Sequence, residues 1–257
     1  MIVAVTGAKG YIGKEVVKLL STKNITVLPF DIDDWDIRQP AKNIDPTVGV
    51  VVHLAGLVKV GESVKRPTAY FYTNAVGTKN VIDKFPNAKF ILASTGAAYD
   101  PTSPYAVSKV MAEEIVKECC SDYTIFRFFN VGGRKPTNPE GLYAATQNAI
   151  SSKKFTIYGN DYDTADGTCV RDYVHVDDLC RAIISAVYAA GTKTIEPIGS
   201  GRSYTVKEYV DAFLHVNGKL FDVEFGERRP GDNEKSEVPF VSQFMVPTKT
   251  IYDIVEM

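Results

Sequence analysis

Short runs of β-branched and apolar residues alternate with amphipathic stretches through the first half of this chain. The runs at 2–6, 26–30, 49–53, 89–92 and 124–128 are too short for helices and rich in valine, isoleucine and phenylalanine, so they read as buried strands. At 11–21, 68–84 and 105–120 the apolar residues recur at helical spacing. Strands alternating with helices predict a Rossmann-type α/β fold, a doubly wound parallel sheet wrapped by helices. From residue 130 to 171 the texture turns to glycine, proline, asparagine and aspartate, a loop-rich region with one helix at 142–150. A helix at 177–189 and a strand at 194–198 then rejoin the sheet, and 206–216 reads as a further helix. No repeat, low-complexity tract or linker separates two independent units. The loop-rich segments are expected to form a small α/β lobe beside the sheet.

Composition narrows the chemistry by exclusion. The chain of 257 residues suits one large domain with a small second lobe. With 29 basic against 31 acidic residues and a net charge of −2, it lacks the basic face that grips nucleic acid. No apolar run approaches the ~20 residues of a membrane span, and no basic stretch precedes the apolar residues 2–5 as in a signal peptide. Four cysteines (Cys119, Cys120, Cys169, Cys180) show neither CxxC pairing nor disulfide-scaffold density, so reduced, mostly buried thiols and a cytoplasmic protein are expected. The three histidines, His53, His175 and His215, have no partner at metal-site spacing. No metal is expected, and a serine–histidine–acid mechanism is unsupported.

The segment TGAKGYIG, residues 6–13, falls at the junction of the first strand and first helix. Gly7 permits the tight turn, Gly10 lets backbone N–H groups approach a pyrophosphate, and Gly13 lets helix and strand pack closely. The helix N-terminus then faces the anion. Eighteen residues past Gly13, Asp31 ends the second strand. A carboxylate there accepts hydrogen bonds from the adenosine ribose and repels a 2′-phosphate, favouring NAD over NADP. Asp33, Asp34 and Asp36 crowd nearby, so a solvated loop acid is the competing reading.

Tyr105 and Lys109 stand four apart and share one face of a helix. Among fourteen tyrosines such a pair arises easily by chance, so context gives it weight. Ser103-Pro104 supplies a cap and a first-turn proline, and Ala93-Ser94-Thr95 closes the preceding strand. An ammonium beside the phenol lowers a pKa normally near ~10, and an oxidised nicotinamide, itself cationic, pushes the same way. Tyr105 is therefore a candidate general base for a substrate hydroxyl. Thr95, at the carboxyl end of its strand, can hydrogen-bond the same hydroxyl.

Together TGAKGYIG, HLAG (53–56), SPYAVSK (103–109) and RFFN (127–130) resemble the extended short-chain dehydrogenase/reductase superfamily. VGES (60–63), IYGNDYDTADGTCVRDYVHVDDL (157–179) and RRPGD (228–232) are similar to the UDP-glucose 4-epimerase family within it. The match runs in order from residue 1 to about 236. It implies an enzyme that epimerises a UDP-hexose at C4 through a transient 4-keto sugar, bound NAD taking and returning hydride. It makes 1–130 with about 172–198 the NAD-binding domain, and about 131–171 with 199–257 the nucleotide-sugar lobe.

By the same resemblance Tyr105 is the acid/base, Lys109 binds the nicotinamide ribose and Thr95 aids proton transfer. Cofactor contacts fall on Gly7, Gly10, Tyr11, Ile12, Gly13, Asp31, Asp36, Ile37, Leu54, Ala55, Gly56, Asn74, Tyr105, Lys109 and Phe129. Substrate contacts fall on Thr95, Asn130, Leu142, Thr156, Tyr158, Arg171, Arg229 and Asp232, and Ser236 gates room for an N-acetyl group. A homodimer through the helices at 68–84 and 105–120 is implied as well. The chain departs from the family where a strand and helix are missing between Asp31 and Asp36, where nine residues separate Thr95 from Tyr105, at Val58, and beyond Ser236. Two other readings stay open. One is a nucleotide-sugar dehydratase or UDP-glucuronate decarboxylase, although such dehydratases follow the threonine with Asp-Glu and here Gly96-Ala97 follow. The other is a non-catalytic NAD-binding sensor, against which the intact Tyr105–Lys109 pair stands.

Overall fold

The computed structural model describes residues 1–134, 141–191, 193–229 and 232–256. The chain divides into two units, Met1–Phe128 with Cys180–Glu196 and Phe129–Leu179 with Pro197–Met257. In the first, β1 (Ile2–Thr6), β3 (Val50–His53) and β4 (Lys89–Thr95) are buried along nearly their whole length. A strand covered on both faces has no solvent side to alternate toward, which is why each centres on an unbroken apolar run, with its polar residues at the ends. β2 (Thr26–Phe30) is partly exposed and carries Pro29. It lies at the sheet edge, where a residue without an N–H is tolerated. With β5 (Tyr123–Phe128) and β9 (Lys193–Ile198) these strands form a sheet of six in the order β2-β1-β3-β4-β5-β9. The pairings β1–β2, β1–β3, β3–β4 and β4–β5 are all parallel. The order reverses at β1, whose Thr6 stands level with Phe30 on one side and His53 on the other.

α1 (Tyr11–Ser21) follows β1. The single helix expected over 68–84 is instead α3 (Pro67–Tyr70), a π-helical segment Phe71–Val76 and α4 (Gly77–Lys84), preceded by an unexpected short α2 (Val60–Lys65). The widened turn buries Asn74, which donates to Leu57 O at 3.0 Å and to Ser108 Oγ at 2.9 Å. A π turn at such a residue commonly marks a functional site. α5 (Pro104–Cys119) starts on the expected signals, with Ser103 Oγ accepting from Ala106 N at 3.2 Å and Pro104 in the first turn. Val51, Phe85, Phe90, Leu92, Val116 and Ile125 anchor the core between sheet and helices.

The second unit contains β6 (Asn130–Gly132), α6 (Leu142–Ser152), β7 (Lys154–Tyr158), β8 (Val170–His175), the start of α7 (Val176–Tyr188), β10 (Ser203–Thr205), α8 (Val206–Asn217), β11 (Asp222–Gly226), β12 (Lys235–Ser236) and α9 (Ile251–Val255). The region 130–171 is thus less irregular than expected. β7 was illegible because its partner β11 lies 68 residues downstream, as the Thr156–Glu224 contact shows. Residues 129–130, 172–179 and 197–198, expected with the first domain, group with the second unit, where β8 pairs with β6, β10 and β12. Phe155, Ile157, Tyr173, Phe213 and Phe221 form its core.

Asp172 of β8 is wholly buried; its carboxylate accepts from Ser200 N at 2.6 Å, while Oδ2 has no hydrogen-bond partner among the described residues. Burial raises its pKa to about 6, helped by the nearby Glu237 and opposed by the Ser200 and Gly201 bonds. The folded state therefore binds this proton more tightly than the unfolded chain, so its contribution to stability falls as pH rises from about 4 to about 6. Asp172→Asn should remove that component, on the order of 3 kcal/mol across the window. Urea unfolding of both proteins at several pH values measures it, and parallel pH profiles would count against it.

Candidate active site

The glycine turn sits between β1 and α1, at the point where the strand order reverses, which is where open α/β sheets bind ligands. Gly7 has φ +70°, and a Cβ there would lie 2.8 Å from Ala55 N. A Cβ on Gly13 would meet Gly7 O at 2.1 Å, so helix and strand can approach only without side chains. α1 has no side-chain cap and no acid in its first turn, leaving its positive end suited to an anion. The turn opens on a cavity of about 580 Å³ lined by Gly7, Gly10, Asp31, Asp36, Ile37, Leu54, Ala55 and Gly56 among the expected cofactor residues. A glycine cradle, an acid at the end of β2 and a helix N-terminus together fit a dinucleotide.

The crowded acids separate clearly. Asp31 lines the cavity and accepts from Lys9 N at 2.7 Å and Ile32 N at 2.9 Å. Asp33 instead pairs with Lys9 Nζ at 2.8 Å, and Asp34 accepts from Asp31 N at 2.9 Å. Asp36 also lines the cavity but is engaged by Arg38, Nη2 to Oδ2 being 2.7 Å. That guanidinium holds the Asp36 carboxyl below its ordinary range. Lys9, Ile32, Trp35, Arg38, Arg66, Ala69 and Thr73 line the cavity too and were not read from the sequence. Tyr11, Ile12 and Gly13 form the first turn of α1, and Phe129 belongs to the second unit.

Tyr105, Lys109 and Thr95 are all buried. Lys109 Nζ donates to Ala93 O at 2.9 Å, and a Cβ on Gly56 would lie 3.3 Å from it and 2.8 Å from Asn74 Oδ1. Gly56 thus joins the cavity to the catalytic candidates. Burial lowers the Lys109 pKa to about 8, against the raising effect of Glu113. Burial likewise raises the Tyr105 phenol, opposed by a hydrogen bond with Thr95. The sequence predicts a phenol lowered by Lys109; in the structure burial dominates, and the hydrogen bond with Thr95 is what opposes it. Behind Lys109, the wholly buried Glu113 pairs with Arg127, Nη2 to Oε2 being 2.6 Å, and accepts from Ser94. His53, beside Thr6 (2.6 Å) and Thr78 (3.1 Å), is kept neutral, its pKa pushed down to about 3 by burial and then by Lys109. Among the described residues no group of three His, Cys, Asp or Glu side chains is arranged to hold a metal.

In the second unit the expected substrate residues fall into two clusters and an outlier. Arg229 lies over the Tyr158 ring, 4.8 Å from its centroid, and pairs with Asp232 at 2.9 Å. Thr156 stands two residues from Tyr158 on β7, donating to Glu224 at 3.0 Å. Pro230 and Gly231, within the RRPGD segment, lie outside the described residues. The other cluster surrounds β8, where Asn130 donates to Asp172 O at 2.9 Å and Arg171 stands level with Ser236 of β12. Arg171 itself donates to Val170 O at 2.7 Å. Leu142, at the start of α6, packs against the core. All four cysteines are free thiols, Cys119 exposed and the other three buried. No described helix is long and apolar enough to cross a membrane.

Residues 3–198 match the NAD dependent epimerase/dehydratase family. The chain is 30% identical over 284 residues to UDP-glucose 4-epimerase of Azospirillum brasilense, covering 90% of this chain and 81% of that protein. The crystal structure of UDP-glucose 4-epimerase from Brucella ovis in complex with NAD superposes with a TM-score of 0.90 at 26% identity, covering 99% of this chain and 96% of that one. The Bifidobacterium longum enzyme in complex with NAD+ and UDP gives 0.86 at 26% identity with the same coverage. A glycine turn at the first strand–helix junction and a buried Tyr105–Lys109 pair accord with these likenesses, and the chain belongs to the NAD dependent epimerase/dehydratase family.

Proposed function

We propose that this chain reversibly epimerises UDP-hexoses at C4, interconverting UDP-glucose and UDP-galactose with NAD held in the glycine-lined cavity. The observation that carries the reading is the buried Tyr105, Thr95 and Lys109 group, joined to that cavity through Gly56. The relatives named UDP-glucose 4-epimerase and the NAD complexes among similar structures support it. The glycine turn and the α1 N-terminus hold the diphosphate of NAD, with Tyr11 and Ile12 in that first turn. Asp31 takes the adenosine ribose, Asp36 and Ile37 the adenine side, and Leu54, Ala55, Gly56, Asn74 and Phe129 the remainder. When bound, NAD supplies the acceptor and donor of hydride at the sugar C4, its oxidised ring carrying a positive charge that favours a phenolate.

Tyr105 Oη removes the proton of the 4-hydroxyl and later returns it. Thr95 steadies the phenolate through the hydrogen bond it already makes with Tyr105. Lys109 offers its ammonium to the nicotinamide ribose and favours the phenolate electrostatically. Arg171 and Arg229 are suited to the diphosphate of the UDP-sugar through forked, charge-assisted bonds. Asp232 accepts from its ribose, Tyr158 offers a ring to the uracil, and Asn130, Leu142 and Thr156 complete the set. Ser236 is small enough to admit an N-acetyl group, so the N-acetylhexose substrates are included; failure to turn over either would remove them.

Incubation with UDP-galactose, without added NAD, tests the reading. UDP-glucose should appear. A 4-keto-6-deoxy sugar from a nucleotide-glucose would mark a dehydratase, and bound NAD with no turnover would mark a sensor. We also read the chain as cytoplasmic, from its free thiols, and as a homodimer. Tyr72, Val76, Val107 and Met111 are exposed apolar residues on the π segment and α5, the surface such a dimer would cover. A monomer mass in sedimentation at micromolar concentration would overturn the dimer.

A further inference from the structure

The sheet order sets the direction in which a dinucleotide must run. The catalytic candidates lie at the carboxyl end of β4, on one side of the glycine turn, whereas β2 lies on the other. The half of the dinucleotide that carries no reacting atom therefore passes over the end of β2. There the ribose meets Asp31, and the base beyond it meets the turn from Asp31 to Asp36. That turn is tight, with Asp34 N and Trp35 N both donating to Asp31 O at 2.9 Å. It brings Ile32, Trp35 and Ile37 to the cavity wall, with Ala69 and Thr73 also lining it. Apolar and aromatic surface suits a flat base rather than a charged group.

We propose that Trp35 is the wall on which the adenine stacks. Its indole is positioned in advance: Nε1–H donates to Gln39 O at 3.1 Å, and the ring packs against the core beside Phe30 and Phe85. Lys84 Nζ sits 5.4 Å from the ring centroid and holds it as a cation–π contact. With its one side-chain donor committed to Gln39, the Trp35 indole has no polar group left to offer a ligand in the cavity. The inference rests on the dinucleotide reading of that cavity.

Trp35 is the sole tryptophan of the sequence, so all tryptophan emission from the full chain reports on this site. Titration of the full chain, first freed of any bound nucleotide, with NAD, ADP-ribose and nicotinamide mononucleotide, with calorimetry alongside, tests the assignment. NAD and ADP-ribose should change the emission over the range in which calorimetry detects binding, and nicotinamide mononucleotide, lacking adenine, should not. Trp35→Ala should bind ADP-ribose about ten- to a hundredfold more weakly, the range expected for loss of base stacking. Trp35→Phe, which keeps a ring, should stay within about threefold. ADP-ribose that binds without altering the emission, or binds Trp35→Ala as tightly as the parent, would overturn the proposal. Should calorimetry detect neither NAD nor ADP-ribose on the parent chain, the dinucleotide reading itself falls, and this inference with it. The emission measurement needs no variant, so a poorly folding Trp35→Ala leaves the test decisive.

Discussion

Replacing Tyr105 with phenylalanine lowers kcat for UDP-galactose epimerisation by about 10²- to 10⁴-fold, the range spanned by a positioned acid/base. The fold should survive, because the phenyl ring keeps its edge contact with Tyr70, whose centroid lies 6.4 Å away. What disappears is the oxygen that bonds with Thr95 and moves the substrate proton. NAD should still bind, since the glycine turn and Asp31 are untouched. A steady-state assay with a nucleotide-binding control reads both effects. A variant retaining a tenth or more of the activity would remove Tyr105 from the acid/base role.

Replacing Glu113 with alanine destabilises the protein by about 3–5 kcal/mol, the usual loss when one partner of a buried ion pair is removed. Glu113 is fully buried and answers the Arg127 guanidinium at 2.6 and 3.0 Å, with Ser94 donating as well. Without it, a largely buried guanidinium keeps the Tyr99 ring, 4.5 Å from its carbon, and a hydrogen bond with that side chain, but loses the charge that offsets its desolvation. Glu113→Gln retains shape and part of the bonding and should lose less. Because Glu113 is the group that holds the Lys109 pKa up toward about 8, the glutamine variant should also shed the Lys109 proton at lower pH. The high-pH limb of its activity profile then moves toward acid. Urea unfolding gives the first quantity and a pH–rate profile the second; a loss below about 1 kcal/mol in Glu113→Ala would contradict the pair's role.

The sheet was legible because its interior strands carry the burial of both faces in their own composition. Val50–His53 and Lys89–Thr95 have no polar alternation, since neither side meets water. The glycine turn was legible for a local reason too: Gly7 and Gly13 are demanded by contacts within one strand–turn–helix unit. β7 and β11 were missed because each is a weak five-residue strand completed only by a distant partner. The π widening at Phe71–Val76 left no periodic trace, as six residues are too few to shift a helical pattern.

Local spacing by itself determined the alternating architecture, the phosphate turn and the shared face of Tyr105 and Lys109. Only tertiary structure decided that two of four neighbouring acids, Asp31 and Asp36, line the cavity, that Trp35 lines it too, and that Glu113 and Arg127 form a pair behind Lys109. It also decided that the Tyr105 phenol is pushed up rather than down. Helical and strand periods record which side of an element is covered. They do not record which distant group does the covering, and desolvation and charge pairing depend on that group.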